Sequence, residues 1–121
     1  MNTKILVVDD EEKLVDFVRR YLEMRDYEVS VAYSGSEALE KAKKEKPDIV
    51  ILDIMIPGMD GLEILRRIKE DPGTNSAKVI MLTAKTETSA IFEAERMLAT
   101  DYIIKPFGLE KLKEVIDKYI I

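Results

Sequence analysis

Short, nearly unbroken apolar runs alternate along this chain with longer stretches in which apolar residues recur every three or four positions. Ile5-Leu6-Val7-Val8, Ile49-Val50-Ile51-Leu52 and Val79-Ile80-Met81-Leu82 are runs of the first kind, and Tyr102-Ile103-Ile104 is a shorter one. Bounded runs of this length read as strands, and runs apolar throughout suit parallel strands covered on both faces. Tyr27-Glu28-Val29-Ser30-Val31 alternates instead, as an edge strand does. Strands are therefore predicted near residues 4–9, 27–32, 48–53, 78–83 and 101–105.

The intervening stretches predict helices near 12–25, 35–45, 61–71, 87–98 and 108–120. Leu14, Phe17, Val18, Tyr21 and Leu22 form one apolar stripe at helical spacing; Leu109, Leu112, Val115, Ile116, Tyr119 and Ile120 form another. Ser34 with Glu37, and Asp60 with Glu63, have the spacing of a capping box, in which side chains satisfy the free amides of a first turn. Both stripes need a sheet to cover.

Five strand-helix repeats with right-handed crossovers wind a sheet with helices on both faces. The predicted fold is a doubly wound α/β architecture, a (βα)5 three-layer sandwich of flavodoxin-like type with a parallel five-stranded sheet of order 2-1-3-4-5. Strand two is then an edge, and strands one and three lie together at the point where the winding reverses. Ligands of open α/β sheets bind beyond the carboxyl ends of the strands at that point. Asp9 and Asp10 end strand one and Asp53 ends strand three, while Thr83 and Lys105 end strands four and five. Each residue alone has a plain reading as a cap, turn or solvated charge; their convergence on one sheet edge points to a site.

Composition narrows the chemistry available there. The 121 residues suffice for one domain with a proper core, and 46% hydrophobic with 36% charged residues is an ordinary globular balance. No apolar run is long enough to span a bilayer and no secretory leader is evident, so a cytoplasmic location without membrane contact is expected. The chain has neither cysteine nor histidine, which removes thiol nucleophiles, serine-histidine triads and zinc-histidine sites. Its net charge of −5 argues against direct nucleic-acid binding.

What remains is carboxylate, hydroxyl and amine chemistry. Three converging carboxylates repel one another unless they hold protons or recruit a cation. Mg²⁺ is the expected ion, because it takes oxygen ligands from one or two carboxylates, waters and a substrate phosphate. Asp10, Asp53 and the backbone carbonyl of Met55 would supply ligands, with Asp9 one step removed. Such an ion would align a phosphoryl group for attack by an Asp53 oxygen, while Lys105 adds a fixed cation and Thr83 a hydroxyl donor.

Four segments carry a resemblance to a known family: Val7-Val8-Asp9-Asp10-Glu11, Leu52 to Gly61, Leu82-Thr83-Ala84, and Asp101-Tyr102-Ile103-Ile104-Lys105-Pro106-Phe107. Together they resemble the receiver domain of two-component response regulators, over the whole chain, residues 1–121. The resemblance implies that Asp53 accepts a phosphoryl group from a sensor histidine kinase or a histidine phosphotransfer protein, with Mg²⁺ required. It implies a cis Lys105-Pro106 bond. It also implies a switch in which Thr83 moves toward the phosphate and Tyr102 turns inward. The switched surface, formed by the fourth helix, fifth strand and fifth helix, would meet a downstream protein target, the chain being a monomer or a phosphorylation-dependent dimer. Such a domain promotes its own phosphorylation and dephosphorylation without turning over an external substrate.

Met97-Leu98-Ala99-Thr100 replaces the Gly-Ala common in the family before strand five, and Ile91 and Phe92 cannot both point inward from the fourth helix. Met55 and Lys85 occupy variable positions beyond Asp53 and Thr83, where Met55 is expected to shield an acyl phosphate from water. The rival reading is a Mg²⁺-dependent phosphatase of haloacid-dehalogenase type, working through an aspartyl phosphate. Such enzymes generally use Asp-x-Asp, whereas Met55 stands two residues after Asp53 here. A non-phosphorylated scaffold or nucleotide-binding module is a third reading, without a GxGxxG or Walker sequence to support it.

Overall fold

In the computed structural model, residues 3–56, 59–84 and 99–120 are described. Strand β1 spans Lys4–Val8, helix α1 Glu12–Met24, β2 Glu28–Ala32, α2 Gly35–Glu45, β3 Ile49–Asp53, α3 Gly61–Glu70, β4 Lys78–Ala84, β5 Asp101–Lys105 and α4 Leu109–Asp117. All strand pairings are parallel and the sheet order is β2-β1-β3-β4-β5. The doubly wound fold and the edge position of β2 are as predicted. The predicted helix at 87–98, with Ile91 and Phe92, lies outside the described residues, as does Lys85.

Side chains alternate across a strand, so the apolar runs feed two cores at once. Leu6, Val8, Val50, Leu52, Val79 and Met81 meet α2 and α3 through Ala38, Ala42, Ile64, Leu65 and Ile68. Ile5, Val7, Ile49, Ile51, Ile80, Leu82 and Ile103 meet α1 and α4 through Val15, Val18, Leu22, Leu112, Val115 and Ile116. This is the physical reason for unbroken apolar runs: neither face of the central strands touches water.

Of the stripe predicted on the last helix, Leu112, Val115 and Ile116 are buried on α4, Leu109 is half-buried, and Tyr119 and Ile120 pack against the core beyond the helix end at Asp117; the stripe on α1 is displaced. Val15, Val18 and Leu22 form the buried line, and Phe17 is 49% exposed. Counting residues placed the stripe slightly off the face that the sheet selects. Ser34 caps α2, its Oγ accepting from the Glu37 amide at 3.3 Å, and the Glu37 carboxylate reaches back to the Tyr33 amide at 2.7 Å. Asp60 caps α3 by accepting from the Leu62 amide at 2.7 Å. Glu63, expected to complete that box, instead pairs with Arg66 and Arg67. Two guanidinium groups on its own helix compete successfully for its carboxylate.

Candidate functional site

The site is assembled by chain direction. Parallel strands carry their carboxyl ends to one edge, so β1 delivers Asp9 and Asp10, β3 Asp53, β4 Thr83 and β5 Lys105. Asp9 is 1% exposed and anchored on both sides: its amide donates to the Ala32 carbonyl at 3.2 Å, and its Oδ1 accepts from the Glu11 amide at 3.1 Å. Asp10 is exposed. Asp53 is 5% exposed; its Oδ1 faces the Met55 amide at 3.4 Å.

One carboxylate oxygen from each of Asp9, Asp10 and Asp53 lies within 4.8 Å of the other two. Lys105 reaches into this cluster, its Nζ standing 3.0 Å from Asp9 Oδ2 and 3.2 Å from Asp53 Oδ2. The Lys105-Pro106 peptide bond is cis. Burial, then the charge of Asp9, pushes the Asp53 carboxyl up to about 6, against the opposing pull of Lys105. Burial works against the Lys105 ammonium, yet its contacts with Asp9 and Asp53 outweigh it and hold the amine above the ordinary lysine range. One ammonium thus offsets part of a three-carboxylate cluster. An all-oxygen donor set with surplus negative charge fits a hard divalent cation.

Thr83 is 1% exposed, and its Oγ1 donates to the Ala84 carbonyl at 3.2 Å. Met55, whose carbonyl is the expected ligand, carries a side chain that is 66% exposed. Tyr102 is displayed on the open side of β5 at 38% exposure, with Ile104 beside it at 40%. The structure thus gathers Asp9, Asp10, Asp53 and Lys105, sets Thr83 at the adjacent strand end, and leaves Tyr102 on an outer face.

Two supports of this arrangement were not assigned roles from the sequence. Gly61 begins α3 directly beneath the loop that follows β3: a Cβ there would stand 2.3 Å from the Asp53 carbonyl oxygen and 2.6 Å from Ile54 Cα. Its amide donates to the Ile54 carbonyl at 2.8 Å. Met59 seats against Gly35 at the start of α2, where a Cβ would come within 2.7 Å of Met59 Cβ. Gly61 ends the Leu52 to Gly61 segment and Gly35 opens the helix predicted at 35–45, but only the packing shows why a side chain is excluded.

A family model described as the response regulator receiver domain matches residues 5–117. The chain belongs to that family. Receiver domains are phosphoacceptor signalling domains of two-component systems; response regulators receive phosphate from histidine kinases or phosphotransfer proteins, and the domains generally bind Mg²⁺. The chain is 41% identical over 110 residues to the response regulator ArlR of Staphylococcus saprophyticus, covering 91% of itself and 49% of that protein. It is 43% identical over 108 residues to the alkaline phosphatase synthesis transcriptional regulatory protein PhoP of Bacillus subtilis, covering 89% of itself and 44% of the relative. It thus spans about half the length of these relatives. Against sporulation initiation phosphotransferase F of Bacillus subtilis it is 37% identical, with 99% and 95% of the two chains covered. The chemotaxis protein CheY4 of Vibrio cholerae superposes with a TM-score of 0.93 at 31% identity, covering 99% of this chain and all of that one (100%). Among the described residues no helix is long and apolar enough to cross a membrane.

Proposed function

We propose that residues 1–121 form one receiver domain in which Asp53 is the phosphoacceptor. The observation that carries this reading is the position of Asp53: buried, next to Asp9 and Asp10, and within 3.2 Å of Lys105 Nζ. The donor would be a phosphohistidine on a sensor kinase or phosphotransfer protein. An Asp53 oxygen attacks phosphorus, the P–N bond to the donor imidazole breaks as the O–P bond forms, and the imidazole leaves with a proton from solvent.

The residues fit a Mg²⁺ ion, with Asp10, Asp53 and the Met55 carbonyl as ligands and Asp9 supporting them; when bound it supplies positive charge against the phosphoryl oxygens. Lys105 supplies the protein's own positive charge at the same place. The Met55 amide orients the Asp53 carboxylate, and burial keeps bulk water from competing for it. Thr83 would act as a hydroxyl donor to the phosphate, and with Tyr102 would pass the change to the surface around β5. Charge-assisted contacts of this kind bias a two-state element by their difference between its states.

In this reading the chain works in the cytoplasm, contacts a downstream protein, and catalyses only its own phosphorylation and dephosphorylation. Phosphoramidate tests it, since its P–N bond resembles that of phosphohistidine. One phosphoryl group should be added in the presence of Mg²⁺, be absent with EDTA, and be released by hydroxylamine as an acyl phosphate is. Steady turnover of a phosphate ester without a stable adduct would instead favour the phosphatase reading.

A further inference from the structure

Four methionines fall among the described residues, and the fold treats them differently. Met81 is fully buried in the sheet, and Met59 is partly buried against Gly35. Met24 and Met55 are open, at 83% and 66% exposure. Met24 ends α1, on the side of the molecule away from the carboxylate cluster. Met55 is different, because its backbone amide lies 3.4 Å from Asp53 Oδ1. The chain has no cysteine to intercept an oxidant first. An accessible methionine side chain is therefore carried two residues after Asp53, on the loop that leaves β3.

We infer that Met55 is an oxidation site through which peroxide shortens the lifetime of the phosphoryl group on Asp53. This rests on the reading of Asp53 given above. The sulfur of Met55 donates a lone pair to one oxygen of a hydroperoxide; the O–O bond breaks, an S=O bond forms, sulfur loses two electrons, and the peroxide leaves reduced to water or an alcohol. The change converts a flexible apolar side chain into a polar one with a strong acceptor oxygen. As a thioether, Met55 offers water at most a weak hydrogen bond beside an acyl phosphate. As a sulfoxide, it accepts one and holds a water molecule where attack on phosphorus can begin, so that the Asp53 O–P bond breaks and inorganic phosphate is released sooner. The device is reversible, because sulfoxide reductases restore the thioether.

The test uses the protein phosphorylated by acetyl phosphate and Mg²⁺, with and without prior treatment by hydrogen peroxide. Peptide mass mapping counts oxygen atoms added at Met55 and Met24, and loss of the phosphoryl mass after donor removal gives its lifetime. The expected result is a several-fold shorter lifetime in the oxidised protein, restored by methionine sulfoxide reductase. A Met24→Leu variant should keep this response. A Met55→Leu variant, compared only with itself before and after peroxide, should lose it. An unchanged lifetime with Met55 fully oxidised overturns the inference, as does a response that survives in Met55→Leu or a Met55 that stays reduced while Met24 oxidises. Failure of the untreated protein to take up phosphate at Asp53 would overturn the underlying assignment instead, so the two failures are distinct.

Discussion

Lys105 Nζ lies 3.2 Å from Asp53 Oδ2, and the same ammonium is 3.0 Å from Asp9 Oδ2. Among the described residues this lysine is the cation that pairs with both carboxylates, so it couples the holding of the cluster to the oxygen proposed as the acceptor. Replacing it leaves two buried, like-charged carboxylates facing each other. Lys105→Ala should lose about 3 kcal/mol of stability without Mg²⁺, the low end of the cost of breaking a buried ion pair because the lysine is partly exposed, and regain much of it with the ion. Phosphorylation should survive while the amide spectrum around β5 responds less. Urea titrations with and without Mg²⁺, and amide spectra before and after phosphorylation, check both; a full spectral response in the variant would remove Lys105 from the switch.

Asp53 gives the apo protein a definite pH dependence. Its carboxyl titrates at the ordinary 3.8 when unfolded and is pushed up to about 6 when folded, so the folded chain binds more protons between those values. Stability from this group is therefore greatest below its unfolded pKa and declines as pH rises through about 6. An asparagine at this position has no such slope. In EDTA, Asp53→Asn should exceed the parent by about 1 kcal/mol at neutral pH after allowance for solvent screening, and the margin should close on acidification toward about pH 4, the ordinary carboxylate range. Thermal melts across that range measure it. A margin that is constant with pH would show that Asp53 does not carry the strain.

Gly61 ties the start of α3 to the backbone of the loop after β3. A methyl group there meets the Asp53 carbonyl oxygen and Ile54 Cα, which are main-chain atoms with little freedom to yield. Gly61→Ala should cost about 2 to 3 kcal/mol, in the range of overpacked sites, and should weaken Mg²⁺ binding because the Met55 carbonyl moves with that loop. Chemical denaturation and a metal titration on the folded fraction separate the effects. Unaltered metal affinity would confine Gly61 to a packing role.

Much of this was legible in the chain because strand-end chemistry depends on sequence order alone. Once Ile49 to Leu52 is a central parallel strand, the residue that follows must emerge at the carboxyl edge, whatever the packing details. Asp9, Asp10, Asp53, Thr83 and Lys105 could be placed that way. Phe17 could not, since helical spacing gives the period of an apolar stripe and leaves its phase to the sheet beneath; Val15 took the inner position. Glu63 was misassigned because a capping box and an intrahelical pair with Arg66 and Arg67 use the same carboxylate. The roles of Gly35 and Gly61 depend on which elements touch, a property of the folded chain.

Asp53 as the acceptor is the claim on which the rest depends. Intact mass after incubation with acetyl phosphate and Mg²⁺ tests it most directly, run side by side on the parent and on Asp53→Asn. A single phosphoryl adduct on the parent, and none on the folded variant, is the expected result. An adduct of equal extent on Asp53→Asn would contradict it.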